Sequence, residues 1–170
     1  MFEKDTIVIY GVEGICKITD IANMTFGGFN GSKDYYILVP VSNPTHKVYV
    51  PTDSEYLAAK MQKLLSYDEI ISLISCEKTD IEWINDNKQR NRYFKEILNS
   101  YDRINIFMLA KLLYNIKQGK NENVKKLYAS DEEILKKLTK ILYTELSRVI
   151  SLEENDVLPF INGEIECSKK

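Results

Sequence analysis

One tryptophan and the cations that follow it are the residues of this 170-residue chain whose types and spacing best suit chemistry. Trp83 stands within Thr79-Asp80-Ile81-Glu82-Trp83-Ile84-Asn85-Asp86-Asn87, and Lys88, Arg90, Arg92 and Lys95 come directly after. An amphipathic indole can lie against the edge of a base pair while Lys and Arg hold the flanking phosphates. The competing reading makes Trp83 a core residue of a long helix, since the ring is a large hydrophobe first. Charge carries the same pair of readings at longer range. The chain has a net charge of -2, yet residues 88–140 hold thirteen Lys or Arg against six Asp or Glu. A basic stretch on a near-neutral protein is an electrostatic footprint for phosphate, or else the solvated surface of helices.

Other reactive residue types form no constellation. Cys16, Cys76 and Cys167 are odd in number and lack CxxC spacing, which argues against a disulfide framework and a zinc site. His46 is the single histidine, so neither a metal triad nor a His-based catalytic pair is expected. Gly27-Gly28-Phe29-Asn30-Gly31 has no Lys-Ser/Thr after it and runs into a strand-like segment, so it reads as a loop tip and not a phosphate loop. Asp131-Glu132-Glu133 reads as negative charge at a helix N-terminus. We therefore expect no catalytic residues, no metal, no cofactor and no small-molecule substrate: the chain is not read as an enzyme. Met1-Phe2-Glu3-Lys4-Asp5 leads into no long apolar run, and no segment approaches the ~18 apolar residues of a membrane span, so no membrane contact and a cytoplasmic location are expected.

The elements that must position Trp83 and its cations change character along the chain. Up to about residue 53, β-branched and aromatic residues alternate with polar ones in short runs broken by turn residues. Thr6-Ile7-Val8-Ile9-Tyr10, then Ile15-Cys16-Lys17-Ile18-Thr19-Asp20-Ile21, then Asp34 to Val41, then His46 to Pro51 read as strands. In the second run, Ile15 and the other isoleucines are expected on one face, with Cys16 elsewhere. Such short strands fit a curled antiparallel sheet of the SH3 or Tudor kind. From Asp53 the period shifts to about 3.6. Ser/Thr-x-x-Glu capping boxes at Ser66…Glu69, Thr79…Glu82, Ser130…Glu133 and Ser151…Glu154 predict helices near 67–76, 80–98, 102–118, 131–150 and 152–161. Gly119, just after Lys117-Gln118, supplies a left-handed helix stop. Ile104, Phe107, Met108, Ala110 and Leu112, and later Ile134, Leu135, Leu138, Ile141, Leu142, Leu146 and Val149, form broad bundle faces. The fold class is α+β: a small N-terminal SH3/Tudor-like antiparallel β-barrel over 1–53, followed by an all-helical domain over 54–170.

At this point a resemblance emerges. Phe2-x-x-Asp5-x-Ile7-Val8-x-Tyr10-x-x-x-Gly14-Ile15-x-x-Ile18, Tyr35-Tyr36-Ile37-Leu38 and Val48-Tyr49-Val50-Pro51 resemble the N-terminal RNA polymerase-interacting domain of CarD and CdnL transcription regulators, a domain also found in the transcription-repair coupling factor. Trp83, Tyr93-Phe94-Lys95-x-Ile97-Leu98-x-Ser100-x-Asp102, Leu112-Leu113-Tyr114, Leu142-Tyr143-x-Glu145-Leu146 and Val157-Leu158-Pro159-Phe160-Ile161 are similar to the family's helical domain. The resemblance implies a bacterial, nucleoid-associated regulator whose barrel docks on the RNA polymerase β subunit by edge-strand pairing, with Tyr35, Ile37, Val48, Tyr49 and Val50 as polymerase-binding candidates. It also implies that the helical domain contacts promoter DNA at the upstream edge of the melted bubble and stabilises the open complex. Trp83 is then the minor-groove wedge, and Lys88, Arg90, Arg92 and Lys95 are the phosphate contacts. The chain departs from the family where some members carry barrel arginines, at positions matching Met24 and Tyr49, and where Tyr101 replaces a glycine after Ser100. A rival from another class is a Tudor-like module that binds a peptide through Tyr35, Tyr36 and Tyr49, with the helices as scaffold.

Overall fold

The computed structural model describes residues 1–26, 31–76, 81–100 and 102–170. The expected loop tip at residues 27–30, the Thr79 half of one capping box and Tyr101 lie outside the described residues. The chain divides into two units, Met1–Leu64 and Leu65–Lys170.

The first unit is a five-stranded antiparallel sheet. Its strands are β1 (Ile7–Tyr10), β2 (Gly14–Met24), β3 (Lys33–Pro40), β4 (Val48–Pro51) and β5 (Met61–Lys63), with a one-turn helix α1 (Glu55–Ala58) before β5. The order is β4-β3-β2-β1-β5, so the sheet is open, with β4 and β5 at its edges, and not a closed barrel. The boundary expected at 53/54 therefore moves to 64/65. Residues after Asp53 do not go straight into a helical domain, because β5 returns to pair Met61 with Tyr10 and Lys63 with Val8. Gly14 turns the chain from β1 into β2 at φ +70, a region that penalises any side chain with a Cβ.

The alternation expected in β2 is also corrected. Cys16 and Ile18 are fully buried in the core of this unit, with Val8, Tyr36, Leu38, Val50 and Met61, while neighbouring Ile15 lies on the opposite face. A bulge at Thr19 then shifts the register, so that Ile21 faces Tyr36 instead of continuing the simple alternation. The Thr19 hydroxyl donates to the Ile37 carbonyl at 3.1 Å, using the irregularity as a cross-strand tie.

The second unit holds α2 (Tyr67–Ile74), α3 (Asn87–Ser100), α4 (Arg103–Lys117), α5 (Ala129–Leu146) and α6 (Val157–Ile161), the last preceded by a 3₁₀ turn at Glu154–Asp156. α2 begins as expected: the Glu69 N–H donates to Ser66 Oγ, and the Ser66 N–H donates to Glu69 Oε2. Two other expected caps are displaced. The Tyr128 N–H donates to Asp131 Oδ2 at 3.1 Å, so α5 starts before Ser130, and it stops at Leu146 instead of running to 150. The Glu153 N–H donates to Asp156 Oδ2, replacing the Ser151…Glu154 box. Gly119, at φ +71, ends α4 as expected, with the Lys120 N–H donating to the Asn115 carbonyl.

Phe94 and Ile97 of α3, Phe107, Leu109 and Leu113 of α4, Leu138, Leu142 and Leu146 of α5, and Phe160 and Ile161 of α6 form one core. Each fully buried aliphatic side chain contributes about 1.5–3 kcal/mol to it. Ile104 and Ile141, expected on the apolar stripes, are exposed instead. No helix among the described residues is long and apolar enough to cross a membrane.

Candidate functional site

In the sheet unit, strand alternation separates the polymerase-binding candidates into two sets. Tyr36 and Leu38 of β3 point into the core, leaving Tyr35, Ile37 and Val39 half-buried on the outer face. Ile37 pairs with Tyr49 of β4 and Tyr35 with Pro51, so Tyr49 shares that face. Phe26, which the sequence analysis did not single out, joins them. Its ring meets Tyr35 at 5.0 Å and Tyr49 at 5.4 Å, both edge-to-face. The clue to it was parity, because Ala22, Met24 and Phe26 continue the outward positions of β2. Val48 and Val50 belong to the other set: Val50 is fully buried and Val48 packs against the core. Neither offers a side chain to a partner.

The backbone of β4 sharpens the point. The Thr52 N–H donates to the Asp34 carbonyl at 2.9 Å, and the register pairs Val50 with Tyr36 and Val48 with Leu38. Hydrogen-bonded and open pairs alternate in an antiparallel ladder, so Val48 and Val50 spend their polar groups on β3. The N–H and C=O of Tyr49 point away from the sheet, and Pro51 has no N–H. Within β4, Tyr49 thus supplies the outward donor of an edge that no further strand covers among the described residues. This edge can accept an added strand.

In the helical unit, α3 starts at Asn87 and not at residue 80. The Asp86 side chain accepts from the Gln89 N–H at 2.8 Å and its carbonyl accepts the Arg90 N–H, which makes Asp86 the cap. Trp83 consequently lies in a non-helical stretch ahead of the helix, partly buried, with Phe94 at 6.3 Å. Lys88, Arg92 and Lys95, at i, i+4 and i+7, form one exposed stripe on α3. Arg92 makes a loose pair with Glu96 at 3.8 Å in open solvent. These three cations are free enough to meet phosphate.

Arg90 is not, which corrects its place among the phosphate contacts. It lies about 200° round the helix from Lys88 and is completely buried. Nε and Nη2 donate to the two oxygens of Asp131 at 3.1 and 2.9 Å, Nη1 to the carbonyls of Ile84 and Asn85 at 2.7 and 3.3 Å, and Nη2 also to Asn87 Oδ1 at 2.9 Å. All five N–H groups are engaged. The guanidinium carbon sits 4.1 Å from the centre of the Trp83 ring and 5.1 Å from that of Tyr128. Asp131 is thus more than a favourable charge at the start of α5: it caps that helix and takes the fork of Arg90.

A second internal ion pair joins Arg103 of α4 to Glu145 of α5 at 3.2 Å. Burial pushes the Glu145 carboxyl above the usual carboxylate range, and Arg103 pulls it back only in part. His46 faces Glu13 at 3.8 Å on the sheet unit. No group of three His, Cys, Asp or Glu able to hold a metal ion occurs among the described residues.

Residues 2–65 match the model of the CarD-like/TRCF RID domain, a match that ends one residue past the first structural unit. No curated protein sequence matches the chain. The RID family comprises non-enzymatic interaction domains for the RNA polymerase β subunit. The match coincides with the first unit, whose sheet leaves β4 at an edge and an aromatic cluster on its outer face, and this unit is similar to the CarD-like/TRCF RID domain.

Proposed function

We propose that the chain is a bacterial transcription regulator that binds the RNA polymerase β subunit through β4 and stabilises the promoter open complex through its helical unit. The observation that carries the reading is the RID match over a sheet in which β4 is an edge strand, with no further strand paired to it among the described residues. Strand addition rests on backbone hydrogen bonds, so shape and one free edge suffice, with Tyr35, Ile37 and Tyr49 adding side-chain contact. Lys88, Arg92 and Lys95 are the phosphate contacts, and Trp83 is the ring placed at the upstream edge of the melted bubble. A wedge holds DNA open only if it binds the melted form better than the closed duplex. About 1.4 kcal/mol of such preference shifts the equilibrium tenfold. In this reading the protein works in the cytoplasm, at the nucleoid, through polymerase.

The test is the lifetime of the open complex on a promoter fragment with cognate polymerase. Wild type is expected to lengthen it and Trp83→Ala to lose most of that effect while still binding polymerase. Equal lifetimes with and without the wild-type protein would defeat the proposal. The rival peptide-binding reading loses its three-tyrosine site, because Tyr36 is buried in the core with its hydroxyl oxygen accepting the Phe2 N–H.

A further inference from the structure

We infer that Arg90 is a positioning residue for Trp83: its buried guanidinium backs the indole and fixes the backbone beside it, setting where the free part of the ring points. The functional half of this inference rests on the proposed DNA contact of Trp83; the structural half does not. Three observations converge on it. The guanidinium lies 4.1 Å from the Trp83 ring centre, within cation–π range, with Tyr128 beyond at 5.1 Å. Nη1 donates to the carbonyls of Ile84 and Asn85, the two residues that follow Trp83, so the same side chain holds both the ring and its chain. Asp131 grips the other side of the fork in a bidentate pair from α5, and Ser130 of α5 donates to Asn87 Oδ1 at 3.1 Å, so the position is referred to two helices.

Stability alone explains this arrangement poorly. A buried ion pair is often no better than apolar residues of the same volume, because desolvation cancels much of the attraction. What a planar five-donor fork adds is geometry, and lysine cannot reproduce it. With Ile81 buried on the preceding side, the segment that carries Trp83 is pinned before and after the ring.

The chain has one tryptophan, so fluorescence excited at the red edge, where its eleven tyrosines do not absorb, reports this ring alone. The experiment measures acrylamide quenching and open-complex lifetime for Arg90→Lys, for Asn87→Ala, and for Leu113→Ala, a core truncation in α4 that serves as the control for lost stability. Arg90→Lys is expected to raise the quenching constant about twofold or more, since charge is kept but the fork and stacking are lost. Asn87→Ala should raise it less, and Leu113→Ala should leave it unchanged. Arg90→Lys should shorten open-complex lifetime in the Trp83 chain and have no further effect in a Trp83→Ala background. A wild-type quenching constant in Arg90→Lys, an equal rise in Leu113→Ala, or an equal loss of lifetime in both backgrounds overturns the inference. If Arg90→Lys fails to fold by circular dichroism, Asn87→Ala, which alters an exposed side chain, decides through the same two readouts. If Trp83→Ala keeps the wild-type lifetime, the DNA reading fails, while quenching still decides whether Arg90 positions the ring.

Discussion

Glu145 is where burial and charge oppose each other most directly in single-residue terms. Its carboxyl is almost fully enclosed, and desolvation outweighs the pull of Arg103, so its pKa in the folded chain lies above the 4.5 of a free glutamate. Between 4.5 and that raised value the folded chain binds more protons at this site than the unfolded one, so stability falls as pH rises through the window and levels off above it. Denaturation measured across that range should show this decline, and Glu145→Gln should flatten it; an unchanged slope in the variant would assign the decline to another group. Cys16 gives a second check at this scale. Burial pushes its thiol up to about 11, so the folded chain holds almost no thiolate there at neutral pH. Peptide mapping after alkylation near pH 8 should find Cys16 unmodified until denaturant is added. The Glu145 environment was not legible in sequence, because its partner Arg103 comes from another helix. The same holds for Arg90, which reads as one cation among four until Asp131, 41 positions later, takes its fork.

Among the elements, α3 shows what local sequence can and cannot decide. Thr79…Glu82 marks the expected start, and Ile81, Trp83 and Ile84 look like the first turn of a helix, yet α3 begins after Asp86. The later start prevails because the Ile84 and Asn85 carbonyls accept from Arg90 and Asp86 caps the helix. Asp86→Ala should therefore cost about 1 kcal/mol in urea denaturation of the whole chain. A cost near zero would mean that tertiary contacts alone fix the helix start. The first four strands were legible from alternation, but β5 was not, and neither was the strand order that puts β4 and β5 at the edges. The edge yields a sharp expectation. Tyr49→Pro deletes the outward N–H without removing a donor used by β3, so the fold should survive while polymerase binding weakens about tenfold beyond Tyr49→Ala, the value of roughly one good hydrogen bond. Equal losses in the two variants would assign the contact to the ring.

At the scale of the whole molecule, the proposed function gives charge a part in why two units are joined. Residues 1–64 hold six Lys or Arg against seven Asp or Glu, and residues 65–170 hold seventeen against eighteen, so neither unit is basic overall despite the cationic stretch from 88 to 140. With three exposed cations on α3, DNA affinity should fall with salt at a slope of about -3, too few contacts for tight binding to free duplex at physiological ionic strength. In the proposed reading, the helical unit acts only if something raises its concentration at the promoter. A first unit docked on polymerase does this, because a tethered module faces its target at roughly millimolar effective concentration. Each unit has its own cluster of buried residues, so the halves are made as separate chains, with circular dichroism first checking that each folds. Added together at about micromolar concentration, residues 1–64 and 65–170 lose a factor of about a thousand in local concentration relative to the intact protein. The expected outcome is that 1–64 still competes for polymerase while the mixture fails to lengthen open-complex lifetime. Full lengthening by the separate halves would show that the helical unit needs no tether, and would place its affinity in contacts other than Lys88, Arg92 and Lys95.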